Sequence, residues 1–285
     1  RNGQLGLGTN VDQTEAQQLD LPPMQMIRCG NAYACGLDRS GGVHCWGYGS
    51  EGSLGQGNRD SSQRPRAVNS LPAIQDLDLG YRHACALTGS GNLFCWGRNG
   101  EGQIALDKNS ASRVTAPRQV MIPSVVSVAV GRQHTCALTV SDGLWCWGYN
   151  AQGQLGDNTS RTRFEPRRMG AVLNISTVGV LRFGYNTCAA STRQDGTQGF
   201  FCWGNGTWGQ IGDGQLLSRR LPVAVDASSE LGDNVQTIAG NERQICTLGQ
   251  NGRVACWGDP TLGRTGHGLT QTTSLGPSEM IAVTR

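Results

Sequence analysis

The chain is short of lysine, of charge, of helical pattern and of long apolar runs. Charged residues make up 16% of its 285 positions, and Lys108 is the one lysine against 23 arginines. That imbalance reads as codon usage. The net charge of +3 is too small to make nucleic acid an expected partner. The longest apolar run, near Val125 to Val130, falls far below the about 18 residues of a membrane-spanning helix, so no membrane span is expected. Pro and Gly interrupt nearly every window, which leaves no useful helical period. No Cys-x-x-Cys, His-Glu-x-x-His, phosphate loop or Gly-x-Ser-x-Gly elbow occurs. The chain therefore reads as a non-enzyme with no catalytic residues, no metal site and no cofactor. No signal peptide is visible at Arg1, which already lies inside a repeat.

What is abundant is glycine, with 42 residues, and cysteine, with 11. Both follow a period. Leu144-Trp-Cys-Trp-Gly-Tyr-Asn-Ala-Gln-Gly-Gln-Leu-Gly156 is the fullest copy of a motif that recurs around Trp46, Trp96, Trp147, Trp203 and Trp257. The steps between these tryptophans are 50, 51, 56 and 54 residues. Asn2-Gly-Gln-Leu-Gly6 matches the motif's tail. A second landmark precedes each tryptophan, clearest in Gly80-Tyr-Arg-His-Ala-Cys-Ala-Leu87 and Gly131-Arg-Gln-His-Thr-Cys-Ala-Leu138. Repetition at this length signals a repeat architecture, so residues 1–285 are read as one repeat domain. Its units run approximately 1–49, 50–99, 100–150, 151–205 and 206–258, with a partial sixth at 259–285. The ending Met280-Ile-Ala-Val-Thr-Arg285 resembles the strand that leads into each hairpin. The expectation is a fragment of a longer array; the alternative is a ring closed by its two ends.

The two landmarks make a hairpin. Setting Cys85 opposite Cys95 brings Leu87 opposite Leu93 around a tip at Gly89-Ser-Gly91. The same holds for Cys136 with Cys146 around Asp142-Gly143, and for Cys246 with Cys256 around Asn251-Gly252. The outgoing strand is apolar on both faces, so successive sheets must stack face to face. Ten cysteines pair in phase: Cys35 with Cys45, Cys85 with Cys95, Cys136 with Cys146, Cys188 with Cys202, and Cys246 with Cys256. Directly opposed antiparallel partners lie within disulfide reach, and disulfides imply an oxidising compartment. Cys188 and Cys202 stand further apart in sequence than the other pairs, and Arg193-Gln-Asp-Gly-Thr197 lengthens that tip. Cys29 is left over. Its counterparts are apolar, so it is expected to be a small buried hydrophobe. His83 and His134 are expected to form structural hydrogen bonds.

Connectors at 56–76, 106–126, 157–177 and 213–237 follow each Gly-Gln-Leu-Gly motif and carry 12 of the 24 basic residues. The richest are Arg161, Arg163, Arg167 and Arg168, then Arg219 and Arg220. One reading is a positive ring on one face that holds an anionic partner. The other is that the arginine stems cover apolar blade edges while their heads stay in water. Asn158, Asn174 and Asn205 begin N-glycosylation triplets, which arise often by chance.

Gly-x-x-His-x-Cys-Ala-Leu followed by Cys-Trp-Gly-x-Asn-x-x-Gly-Gln-Leu-Gly resembles the regulator of chromosome condensation repeat family, and the resemblance covers essentially the whole chain. It implies an all-β fold: a β-propeller of four-stranded antiparallel blades, usually seven to a ring, with five complete hairpin units present here. The paired cysteines resemble those of the family's secreted members, so the chain is expected to be secreted or at the cell surface. The function expected is a non-catalytic extracellular scaffold that binds a protein or an anionic glycan through one loop face. The resemblance also supplies an alternative. The family's founding member is a nuclear exchange factor for a small GTPase, which would place this chain in the cytoplasm or nucleus with a small GTPase as partner.

Overall fold

The computed structural model describes residues 2–107, 110–141, 143–170, 175–180, 184–192, 198–226, 235–261 and 274–279; for 175–180, 192, 198 and 274–279 it describes the backbone alone. Strands form where apolar and polar residues alternate between glycine-rich turns. Among the described residues there are twenty of them and no α-helix. They make five four-stranded antiparallel sheets. The first holds β1 (Met24–Cys29), β2 (Tyr33–Asp38), β3 (Val43–Gly47) and β4 (Ser62–Ala67). The second holds β5 (Ile74–Leu79), β6 (His83–Thr88), β7 (Leu93–Arg98) and β8 (Arg113–Val120). The third holds β9 (Val125–Val130), β10 (His134–Thr139), β11 (Gly143–Gly148) and β12 (Arg163–Arg168). The fourth holds β13 (Ile175–Val180), β14 (Asn186–Thr192), β15 (Gln198–Gly204) and β16 (Arg219–Val225). The fifth holds β17 (Val235–Gly240), β18 (Gln244–Gly249), β19 (Val254–Gly258) and β20 (Ser274–Glu279). The first strands of successive sheets lie against one another, so they are innermost and the sheets are the blades of a β-propeller.

The hairpin register is the one that the cysteine spacing dictates. Cys35 opposes Cys45 and Leu37 opposes Val43 in the first blade. Cys85 opposes Cys95 and Leu87 opposes Leu93; Cys136 opposes Cys146 and Leu138 opposes Leu144. Cys188 opposes Cys202, and Cys246 opposes Cys256 with Leu248 opposite Val254. All five pairs are disulfides, with Cα atoms 4.1 Å apart. Cys45 does more than the sequence assigns to it. Besides closing its disulfide, its carbonyl accepts from Gln56 Nε2 at 3.4 Å, and Arg66 of β4 stands opposite it. Cys45 thus also anchors the connector that becomes the outer strand.

The repeat units and the blades are out of phase, however. The fourth strand of each blade comes from the connector after the Trp-Gly step, so residues 50–67 complete the first blade. By the same rule β20 completes the fifth blade, although it falls within the stretch 259–285 assigned to a partial sixth unit. Lys108, Asp142, Asn174, the 193–197 tip and Met280–Arg285 lie outside the described residues.

The tryptophan, the glycine after it and the tail of the motif each have a packing reason. The indole Nε1 of Trp96, Trp147, Trp203 and Trp257 donates to the carbonyl of Ser53, Gln103, Gln154 and Gln210 of the preceding unit at 3.0–3.1 Å. Trp46 makes the same bond to Gln4, so Asn2–Gly6 docks on the first blade as its counterparts dock on the others. Those four indoles are fully buried, as are Leu54, Ile104, Leu155 and Ile211 of the tail. Each tail thus ties one blade to the next. The glycine after the tryptophan has φ between 101° and 113° in all five blades, and a Cβ there would strike the backbone of the turn leading into the second strand.

A second tie runs deeper. His83 and His134 are wholly buried. His83 Nε2 lies 2.9 Å from Thr135 Oγ1, and His134 Nε2 lies 3.0 Å from Thr187 Oγ1, each on the following blade. The threonine hydroxyls donate to Gln103 O and Gln154 O, so they accept from protonated Nε2. Tyr33, at the same position in the first blade, donates its hydroxyl to His83 O at 2.7 Å. Burial is the main cause that lowers both imidazole pKa values to about 3, and the neighbouring His134 contributes to the shift of His83.

Cys29 departs from expectation: it is exposed at the end of β1. Its counterpart Leu79 is buried against Tyr33 and Leu37 of the first blade, and Val130 against Cys85 and Leu87 of the second. No described residue covers Cys29 in that way.

Candidate functional site

In each blade the turn into the second strand and the residue two past the tryptophan are tied by one backbone bond. Tyr48, Arg98, Tyr149, Asn205 and Asp259 donate N–H to the carbonyls of Ala32, Arg82, Gln133, Tyr185 and Arg243 at 2.8–2.9 Å. These five junctions repeat at the same end of every blade, so they pave one axial face of the propeller. The blades supply different residue types to the shared positions, and side chains from neighbouring blades interleave.

Arg82 stacks on Tyr48 of the first blade at 5.3 Å and on Tyr81 at 5.4 Å. Arg132 of the third blade lies between Tyr81 at 4.8 Å and Tyr185 of the fourth at 5.3 Å. The Tyr185 ring meets Tyr149 at 5.3 Å, and its hydroxyl donates to Gln133 Oε1. Arg243 of the fifth blade stacks on Trp208 of the fourth at 4.4 Å. Four of the chain's five tyrosines stand in this array, which sets it apart from the scattered aromatics of an ordinary surface. The tyrosines and Arg82, Arg132 and Arg243 are all half-buried, so they offer broad surface while already held in place.

The cations are largely compensated. The Glu51 carboxylate accepts from Arg82 and from Arg113, both at 2.9 Å. Burial alone would raise its pKa, but the two guanidiniums hold it below the usual value. Arg132 pairs with Glu242 at 3.2 Å across to the fifth blade, and Arg243 pairs with the buried Asp259 at 3.4 Å. Burial raises the Tyr185 phenol, so it stays protonated and keeps donating its hydrogen bond. Arg98 makes no ion pair among the described residues. The face is aromatic and almost charge-balanced.

The arginines singled out from the sequence lie elsewhere and do not form one set. Arg163 opposes Gly148 at the axial end of β12, whereas Arg167 and Arg168 oppose Cys146 and Trp145 towards its other end. Their partners Trp145 and Gly148 are three residues apart, because β12 is bulged here, so at about 3.3 Å per residue Arg163 and Arg168 stand about 10 Å apart along the blade. Arg163 and Arg219 are also claimed within their own loops, by Asp157 at 2.7 Å and Asp213 at 2.6 Å. Arg161 and Arg220 are exposed in the loop and at the start of β16. The connectors thus hold Arg161, Arg163, Arg219 and Arg220 toward the axial end, at or before the start of the outer strand, and carry Arg167 and Arg168 away from it. The disulfide cysteines Cys35, Cys45, Cys85, Cys95, Cys136, Cys146, Cys188, Cys202 and Cys256 are buried, Cys246 is half-buried, and the five tryptophans are core. Neither group lines the axial face.

Sequence reasoning missed this array. The signal was present in the columns two past each tryptophan and three or four before each second-strand cysteine. They read Tyr48, Arg98, Tyr149, and then Tyr81-Arg82, Arg132-Gln133 and Tyr185.

Two sequence models described as "Regulator of chromosome condensation (RCC1) repeat" match the chain, one at residues 40–87, 90–138 and 141–182, the other at 74–103 and 125–154. Together they take in residues 40–182, half of the chain. Among curated proteins, human E3 ubiquitin-protein ligase HERC2 is 28% identical over 242 residues, 85% of this chain and 4% of that protein. The Ultraviolet-B receptor UVR8 of Arabidopsis thaliana is 28% identical over 244 residues, 84% of this chain and 54% of that one. The mitochondrial RCC1 domain-containing protein RUG3 of the same plant is 28% identical over 288 residues, 96% and 63% respectively. The chain spans less than two thirds of each. Among solved structures, human WBSCR16 superposes with a TM-score of 0.77 at 21% identity over 91% of this chain and 67% of that one. Yeast RCC1 (Prp20), solved with Kap60 bound, gives 0.76 at 19% identity over 91% and 61%.

Proposed function

The chain belongs to the regulator of chromosome condensation repeat family, and from that premise we propose that it is a non-catalytic binding propeller whose arginine–tyrosine face holds a partner protein. The observation that carries the proposal is the interleaved array of Arg82, Arg132 and Arg243 with Tyr48, Tyr81, Tyr149, Tyr185 and Trp208. Arginine, tyrosine and tryptophan dominate the energetic centres of protein interfaces. Their stacking here reduces the rotamer freedom lost on binding. Charge balance favours a protein over an anionic glycan, because Glu51, Glu242 and Asp259 already occupy the guanidiniums that a polyanion would need. The yeast structures are precedents for protein binding by this fold: one holds Kap60, and another is described with binding properties to Gsp1p and histones. Five disulfides support an oxidising, extracellular setting for this chain.

Affinity capture from the native extracellular milieu tests the proposal with three baits: the wild type, Arg82→Ala/Arg132→Ala/Arg243→Ala, and the outer-strand control Arg118→Ala/Arg167→Ala. A protein held by the wild type and the control but lost from the axial variant supports it. Equal capture by all three baits, or loss from the outer-strand control alone, refutes it.

A further inference from the structure

Among the described residues, four of the ten exposed large apolar side chains lie in one short stretch of the fourth blade. Between residues 208 and 221, Trp208 is 39% exposed, Leu216 49%, Leu217 56% and Leu221 49%. The stretch is drawn together by its backbone: Gly206 N donates to Ser218 Oγ, and a Cβ at Gly206 would meet the Leu217 carbonyl. Counted from the tryptophan, Leu216 and Leu217 stand where the first blade has Arg59-Asp60 and the third has Ser160-Arg161. A leucine pair thus replaces polar loop residues on one blade, which is costly in water unless something covers it.

The surrounding charge points to what covers it. Asp213 is taken by Arg219, Asp259 by Arg243 and Glu242 by Arg132. Arg220 and Arg161 are exposed and have no acidic partner among the described residues. Arg220 precedes Leu221 in β16, and the loop that carries Arg161 abuts it, because Asn158 N donates to the Arg220 carbonyl at 3.0 Å. The stretch that carries the apolar shoulder is therefore bordered by two arginines without an acidic partner among the described residues. From this we infer that Trp208, Leu216, Leu217 and Leu221 form the docking site for a short acidic segment of the partner protein that carries large apolar side chains. The inference rests on the protein-binding reading and extends it: the stacked face supplies the central anchor and the fourth-blade shoulder selects the segment. A membrane surface fits less well. Insertion needs several loops at one depth, whereas the matching loops of the first and third blades carry Arg59, Asp60 and Arg161.

The probes are two fluorescein-labelled peptides of about twelve residues with the same leucines, one interspersed with glutamate and the other with lysine. Fluorescence anisotropy with the wild-type chain should show the Leu/Glu peptide binding at least about tenfold more tightly than the Leu/Lys peptide. Leu216→Ser/Leu217→Ser should weaken the Leu/Glu peptide about tenfold or more, in line with about 1.4 kcal/mol per decade and the apolar area lost. Arg161→Glu/Arg220→Glu should invert the preference between the peptides. All four side chains are at the surface, so circular dichroism should be unchanged in both variants. Equal binding of the two peptides, or unchanged affinity after the leucine substitutions, overturns the inference. So does leucine-dependent co-sedimentation with phosphatidylserine vesicles in the absence of peptide binding. Failure here with normal behaviour of the Arg82/Arg132/Arg243 variant in the capture experiment removes the shoulder alone. Failure of that capture experiment removes the protein-binding reading beneath it.

Discussion

Lowering the pH from 7.5 to 5.5 should destabilise the propeller by about 3 kcal/mol, through two histidines that touch nothing outside the core. His83 and His134 are wholly buried and neutral, with folded pKa values lowered to about 3. In the unfolded chain each returns to about 6.5. A histidine whose folded pKa is depressed stabilises the fold above the unfolded pKa, and that contribution is lost as the pH falls below it, because only the unfolded chain takes up the proton. Two pH units spanning 6.5 amount to between about 1 and 2 kcal/mol for each histidine, and any folded value below about 4 gives the same result. The window is free of the carboxylates held low in the fold. Asp38, Glu51 and Asp157 stabilise the fold above their unfolded values, so their contributions fade only as the pH drops through about 4.5 and below. The assay is urea unfolding followed by tryptophan fluorescence at both pH values, for the wild type and for His83→Gln/His134→Gln. Glutamine is the natural choice because Gln244 holds the same position in the fifth blade. The wild type should lose about 3 kcal/mol and the double variant almost none. A wild-type stability that does not change over this window, or a double variant that keeps the full pH slope, refutes the reasoning.

Three further outcomes follow from the packing. Gly80→Ala should cost about 1–3 kcal/mol in the same unfolding assay, because its Cβ would strike the Gly131 carbonyl of the next blade. Gly89→Ala, which meets only Gln75 Oε1 at 3.4 Å, should be neutral within about 0.5 kcal/mol. Titration with a thiol reagent should find one reactive thiol per chain both before and after denaturation, from the exposed Cys29, and eleven after reduction. A native count of zero would contradict the exposure of Cys29. Thr135→Val should cost about 1–3 kcal/mol, because it leaves His83 Nε2–H without its acceptor inside the core; a smaller loss than for the exposed control Thr207→Val would show that the relay carries no weight.

The hairpins and their disulfides were legible because two constraints coincide. A cysteine pair ten residues apart and the leucines inside it fix one register, and a one-residue slip would turn every buried side chain outward. The stacking of blades was legible from strands such as Leu93-Phe-Cys-Trp96, apolar on both sides. The fourth strand was legible only at its end, where Pro65-Arg-Ala-Val68, Pro117-Arg-Gln-Val120 and Pro222-Val-Ala-Val225 read as strand; its start and its place in the preceding blade were not. Ser62–Ala67 reads as a polar connector, since Arg64 and Arg66 face water and only Val68 beyond it reaches the core. For the same reason the second role of Cys45, whose carbonyl holds Gln56 of that connector, left no mark in the cysteine spacing. The outer strand likewise spreads Arg163 and Arg168 along the blade, which the sequence of the connector does not reveal. Cys29 was misjudged by analogy, because what buries Leu79 is the blade before it and not the strand it sits on. The axial array was hidden because no single repeat contains it. Arg132 is one residue in one unit, and it becomes a site only between Tyr81 and Tyr185 of its neighbours.

Site-specific photo-crosslinking tests the central claim most directly. A photoreactive phenylalanine analogue is placed at Gln152, in the axial loop beside Tyr149, and separately at Val140, on the exposed hairpin tip at the opposite end of the same blade. Each labelled chain is irradiated in the native extracellular milieu. A partner protein covalently trapped from position 152 and not from position 140 is the result expected of an arginine–tyrosine binding face. Trapping from position 140 with none from position 152 would contradict it.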